Sequence, residues 1–164
     1  MQRIGLLSDT HAYWDEKFIR YFSECDEIWH AGDIGSIEVL NQLQALKPVR
    51  AVYGNIDAYS VRTLCPQVLR FTVEKVPVLL THIGGYPGKY ASEIRREIYA
   101  NPPQLFVCGH SHILKVQYDQ QLQMLCLNPG AAGKSGFHVV RTLMRFTIDE
   151  KSIKDLEVIE LKNG

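Results

Sequence analysis

Carboxylate, amide and imidazole side chains recur in this sequence just after short apolar runs. Asp9-Thr10-His11 follows Ile4-Gly5-Leu6-Leu7, Gly32-Asp33 follows Glu27-Ile28-Trp29-His30, and Gly54-Asn55-Ile56-Asp57 follows the run from Val49 to Tyr53. Thr81-His82 closes the run that starts at Val76, and Gly109-His110-Ser111-His112 closes the run from Leu105 to Cys108. Hard oxygens mixed with imidazoles suit Mn²⁺, Zn²⁺ or Fe rather than Ca²⁺, and no thiolate stands among them. Asp9, His11, Asp33, Asn55, His82, His110 and His112 are too many ligands for one tetrahedral ion. They suit two ions that share a carboxylate, an arrangement that at a spacing of ~3.5–4 Å promotes in-line displacement at phosphorus. Any one of these residues alone reads as structural; their recurrence at successive strand ends argues for a centre. Asp9 and His11, like His110 and His112, are two residues apart and share a side of an extended backbone. The glycines before Asp33, Asn55 and His110 permit unusual backbone angles and close approach of a ligand.

The elements that must carry these residues alternate at first. Ile4 to Leu7 reads as a buried strand, and Asp15 to Phe22 as a helix with Phe18, Ile19 and Phe22 on one face. Glu27 to His30 is a second strand, and Ser36 caps a helix carrying Ile37, Leu40, Leu43 and Leu46 that Pro48 ends. Val49 to Tyr53 is a third strand, so the opening is strand-helix-strand-helix-strand, the order of a parallel α/β sheet. In such sheets ligands bind outside the carboxyl ends of the strands. Val68 to Val73 and Val76 to Leu80 form a hairpin across Glu74-Lys75, and a helix over Tyr90 to Tyr99 stops before Pro102-Pro103. Leu105 to Cys108, Lys115 to Tyr118, Gln123 to Leu127, Val139 to Ile148 and a segment near Glu157 to Leu161 complete a strand-rich second half.

The 164 residues, with neither linker nor repeat, are read as one domain over 1–164. Hydrophobic residues at 46% and charged residues at 22% exclude disordered and coiled-coil classes. Eighteen basic residues cancel eighteen acidic ones, which argues against binding duplex nucleic acid by bulk charge. The longest apolar runs are too short to span a bilayer, the N-terminus shows no signal-peptide pattern, and the four unpaired-looking cysteines fit a reduced compartment. A cytoplasmic location without a membrane partner is expected. Gly130-Ala131-Ala132-Gly133-Lys134-Ser135 is not a phosphate-binding P-loop, because only two residues separate its glycines and a strand follows. Lys134 and His138 in this loop are candidate substrate contacts. His30 reads as a hydrogen-bonded near-core residue and Asp57 as a support. Trp14 and Tyr86 flank the motifs, where cleft lining and plain packing both stay open.

Taken in order, Asp9-x-His11, Gly32-Asp33, Gly54-Asn55, His82 and Gly109-His110-Ser111-His112 resemble the metallophosphoesterase signature of the calcineurin-like superfamily. The short chain and Asn128-Pro129-Gly130 resemble its small bacterial phosphodiesterase branch. The resemblance implies an α/β fold, a four-layer α/β/β/α sandwich of two mixed β-sheets flanked by helices. It implies that Asp9, His11, Asp33 and His112 hold one divalent ion and that Asp33, Asn55, His82 and His110 hold the other, with Asp33 bridging. Mn²⁺ is the first choice, with Zn²⁺, Fe or Ni²⁺ as alternatives. The implied activity is a metal-dependent phosphodiesterase that attacks phosphorus in line with a bridging hydroxide, with Asn55 and His110 touching a small phosphate-ester substrate. Self-association of relatives suggests a homodimer. Two other readings stand beside it: a non-catalytic scaffold of the retromer-subunit type, and a phosphomonoesterase or nucleotide pyrophosphatase. One departure matters, because many relatives place a proton-donating His directly after the Asn, where this chain has Ile56.

Overall fold

The computed structural model describes residues 1–162. Two five-stranded mixed sheets face each other. The first takes β1 (Gln2–Leu7), β2 (Glu27–His30), β3 (Val49–Ala51), β11 (Arg141–Asp149) and β12 (Ser152–Leu161), in the order β12-β11-β1-β2-β3. The second takes β4 (Val68–Val73), β5 (Val76–Thr81), β8 (Leu105–Val107), β9 (Lys115–Asp119) and β10 (Met124–Asn128), in the order β4-β5-β8-β10-β9. Strands β1, β2 and β3 run parallel, as do β5, β8 and β10, so their carboxyl ends collect at one edge of each sheet.

Between the sheets lies an apolar layer that includes Ile4, Leu6, Trp29, Val78, Leu80, Val107, Leu127 and Phe146. Burying side chains of this size stabilises by roughly 1.5–3 kcal/mol each. Trp29 anchors the layer edge-on to Phe71 and Phe146, at ring separations of 5.1 and 5.5 Å, and its indole N–H donates to Glu27. On the outer face of the first sheet, α1 (Lys17–Phe22), α2 (Ile37–Leu46) and α3 (Tyr59–Arg62) bury Phe18, Phe22, Leu40, Leu43 and Val61. On the outer face of the second, α4 (Ser92–Ala100) buries Ile94 and Ile98 against Leu79 and Phe106. The result is the expected four-layer sandwich.

The differences from the sequence reading are local. A hairpin of β6 (Gly85–Tyr86) and β7 (Lys89–Tyr90) precedes α4, which starts at Ser92 rather than Tyr90. Strand β12 begins at Ser152, well before Glu157, and pairs with β11 along its length. A bulge between Arg145 and Thr147, opposite Asp155 with its φ of 56°, breaks the alternation that would have revealed the strand. No helix among the described residues is long and apolar enough to cross a membrane.

Candidate metal centre

The ends of β1, β2, β3, β5 and β8 converge on one spot. The loop after β1 is laced to the loop after β2 by backbone bonds from Asp9, His11 and Ala12 to the carbonyls of Gly32, Asp33 and Ile34. Asp57 then ties the β3 loop to the β2 loop, its buried carboxylate accepting from the backbone N–H groups of Ile34, Gly35 and Gly54. Close approach is enforced at Gly54 and Gly109, where a Cβ would lie 2.0 Å from Asp33 Oδ1 and 2.1 Å from Ser8 Oγ.

Within this frame two ligand groups form: Asp9, His11 and His112, and Asp33, His82 and His110, each with donor atoms within 4.8 Å of one another. His112 Nε2 is 3.2 Å from Asp9 Oδ1, and His82 Nε2 is 3.2 Å from Asp33 Oδ2. The groups interlock. His11 Nε2 lies 3.4 Å from Asp33 Oδ2 as well as 3.7 Å from Asp9 Oδ1. Asp33 Oδ2 thus faces an imidazole of each group, while its other oxygen accepts from the Ile56 N–H at 3.1 Å. Asn55 stands at the rim, with Oδ1 3.1 Å from His110 Nδ1.

Backbone conformation aims these side chains. Asp9, His11, Asp33, His110 and His112 all have φ between 47° and 71°, in the left-handed region. The extended geometry expected at Asp9 and His11, and at His110 and His112, is therefore replaced by tight reversals. Such conformations cost about 1–2 kcal/mol per non-glycine residue and concentrate at functional sites.

The electrostatics point the same way. Burial by itself would raise the Asp9 carboxyl, but His11, His112, His82 and Ser8 together hold it well below the usual carboxylate range. Burial likewise works against the charge on Asp33, and His82 and the Ile56 N–H hold its pKa down. His11 is pushed up, first by Asp9, and His82 is pushed up by Asp33 and Asp9 against the effect of its own burial. Asp9 Oδ1, His11 Nε2 and His82 Nε2 are nevertheless buried atoms with no hydrogen-bond partner in the protein. Unpaired buried polar atoms are costly, and these three, two in the first ligand group and one in the second, are left for divalent ions to satisfy. The residues fit such ions.

Outside the ligand groups, supports are visible that the sequence did not reveal. His82 Nδ1 donates to the Ala31 carbonyl at 2.7 Å, which turns Nε2 inward. His112 Nδ1 lies 3.2 Å from His138 Nδ1, and His138 Nε2 donates to the Gly133 carbonyl at 2.8 Å. His138 therefore braces a ligand. Lys134 lies over the Tyr13 ring, 4.6 Å from its centroid, in a cleft with Trp14 and Asp15 that holds none of the ligand candidates. Trp14 packs edge-on to Phe18, whereas Tyr86 lines a cavity beside His110. His30 is buried, accepting from the Gly32 N–H and facing Thr10 Oγ1 at 3.0 Å.

Comparison with known proteins agrees with this geometry. Residues 2–151 match the model of the "Calcineurin-like phosphoesterase superfamily domain". A protein of Methanothermobacter thermautotrophicus named "Probable metallophosphoesterase" is 32% identical over 135 residues, which cover 78% of this chain and 76% of that protein. Vps29 of Chaetomium thermophilum superposes with a TM-score of 0.77 at 14% identity, covering 98% of this chain and 97% of that one. A structure described as a novel archaeal phosphodiesterase superposes with a TM-score of 0.72 at 21% identity, covering 97% and 99%. The two structural likenesses establish the fold alone. The family match over nearly the whole chain, joined to the relative at 32% identity, shows that the chain belongs to the calcineurin-like phosphoesterase superfamily.

Proposed function

We propose that this protein is a divalent-metal-dependent phosphoesterase acting on phosphodiesters. The observation that carries the reading is the pair of interlocked ligand groups with their orphaned buried donors Asp9 Oδ1, His11 Nε2 and His82 Nε2. Asp9, His11 and His112 would hold one ion, and Asn55, His82 and His110 the other, with Asp33 shared. When bound, such ions supply an activated water as nucleophile at neutral pH and neutralise charge gathering on the phosphoryl oxygens. Mn²⁺ suits this His-rich set of hard oxygens better than Mg²⁺ does.

The remaining work falls to the chain itself. Asp9, Asp33 and His82 are buried while Asn55 and His110 are exposed, so substrate approaches from the Asn55–His110 side. Asn55 and His110, at this exposed rim, would also touch phosphoryl oxygens there. Ile56 brings no proton to the leaving group. The name "Probable metallophosphoesterase" of the relative and the phosphodiesterase description of the structural neighbour support this class of reaction. The test is a panel of diesters, monoesters and nucleotides incubated with the Mn²⁺-loaded chain and with Asp33→Asn. Hydrolysis led by diesters and absent from Asp33→Asn is expected. A preference for monoesters would overturn the diester assignment, and no hydrolysis of any ester would favour a scaffold role.

A further inference from the structure

Two cavities open from the exposed rim of the metal centre, and Ile83 lines both. The one beside His110 and Ser111 has a volume of about 330 Å³, and the one beside Asn55 and His82 about 210 Å³. Asn55 lines the smaller and His110 the larger, and Asn55 Oδ1 lies 3.1 Å from His110 Nδ1. Cavities that enclose a whole small ligand run to about 300–1,000 Å³. The smaller lies below that floor and the larger only just above it, so each has room for one arm of an ester.

Their walls differ in chemistry. The larger is walled by Ile83, Tyr86 and Ile113, with Gly84 and Gly85 presenting only backbone. Tyr86 and Ile113 keep 40% and 62% of their surface exposed, and Lys115 Nζ lies 4.2 Å from the Tyr86 ring centroid. Flat rings stack on such a surface, because an aromatic face, a neighbouring cation and branched aliphatics all favour an electron-rich apolar plate. The smaller is walled by Gln67, Thr81 and Glu93 and by half-buried Tyr53, whose ring is capped by the Arg62 guanidinium 4.6 Å from its centroid, that guanidinium being bonded to the carbonyls of Asp57 and Asn55.

We infer that the Tyr86 cavity is a subsite for a planar aromatic arm of the substrate and that the Gln67–Glu93 cavity takes a polar second arm across Ile83. The inference rests on the phosphoesterase reading above and narrows it to a diester with one aromatic arm. A monoester leaves one of the cavities to water.

Competitive inhibition of the Mn²⁺-loaded full chain by phosphonates tests it. Phenylphosphonate and methylphosphonate share the phosphoryl group and differ in the ring. Phenylphosphonate is expected to bind about tenfold more tightly, a preference that falls below about threefold in Tyr86→Ala and survives in Tyr86→Phe. Ile113→Asp, in the same lining and outside the hairpin, gives the same loss without depending on how Tyr86→Ala folds. Thymidine 5′-phosphate carries its ring one sugar further out. Dependence on Tyr86 for it alone supports the subsite and makes the arm a nucleoside, whereas dependence for phenylphosphonate makes it an aryl group attached directly. Equal inhibition by phenyl and methyl compounds, with no Tyr86 effect on either ring-bearing inhibitor, overturns the subsite. If the loaded chain still hydrolyses esters in that case, the phosphoesterase reading stands; a chain that neither binds metal nor hydrolyses esters removes both.

Discussion

Replacing His138 tests how the centre is built, because this residue touches it through a single ligand. The Gly133 carbonyl can only accept, so the 2.8 Å contact places a proton on His138 Nε2. Neutral His138 then offers a bare Nδ1, and the proton in the 3.2 Å contact belongs to His112 Nδ1. That choice leaves His112 Nε2 bare and aimed at Asp9 Oδ1, 3.2 Å away, which is the tautomer an ion needs. Losing such an orienting partner typically weakens metal binding 10–100-fold, or about 1.4–2.7 kcal/mol. The loss should fall on one ion only, because His82 is held separately by the Ala31 carbonyl. Calorimetric titration of metal-free protein with Mn²⁺ reads both sites. His138→Ala is expected to weaken one by 10–100-fold and spare the other. His138→Gln, whose amide carries both an acceptor and a donor, should recover most of the loss. Two unchanged sites in His138→Ala, or two equally weakened, would refute the reasoning.

Three further outcomes are expected. Asp33→Asn should lose turnover and drop below two ions per chain while circular dichroism stays native, because the sheet layers and not Asp33 carry the core. Ile56, 46% exposed beside Asp33, supplies no general acid, an element that contributes about 10²–10⁴-fold where present. The native enzyme should therefore favour aryl over alkyl leaving groups steeply, and Ile56→His should flatten a leaving-group series by raising the alkyl rates. Burial lowers the pKa of His30 from 6.5 to about 4, so the unfolded chain takes up that proton first. His30 thus removes roughly 3 kcal/mol of stability as pH falls from 6.5 to about 4. Denaturation of metal-free native protein and of His30→Gln should show the gap between them narrowing by about that amount between pH 7 and pH 4.

Strands buried on both faces announce themselves as continuous apolar runs, and here the chemistry sits directly at their ends. That is why Ile4 to Leu7 followed by Asp9, or Leu105 to Cys108 followed by His110, could be read from the sequence together with the layer order. What escaped lacked such a signal. Strands β6 and β7 have two residues each, although Pro87-Gly88 between them marks a turn. α3 has four residues and buries one side chain, Val61. The left-handed backbone at Asp9, His11, Asp33, His110 and His112 arises from loops laced to each other, not from local propensity. The contact of His138 with His112 spans 26 positions and depends on where the loop before β11 folds back, so the sequence could offer His138 only as a substrate contact.

Two divalent ions on these interlocked groups would make the protein a phosphodiesterase. Titrating metal-free protein with Mn²⁺ while following hydrolysis of a phosphodiester tests it most directly. Turnover is expected to be absent after treatment with EDTA and to rise until it saturates at two equivalents per chain. Undiminished turnover without metal, or a plateau at one equivalent, would contradict it.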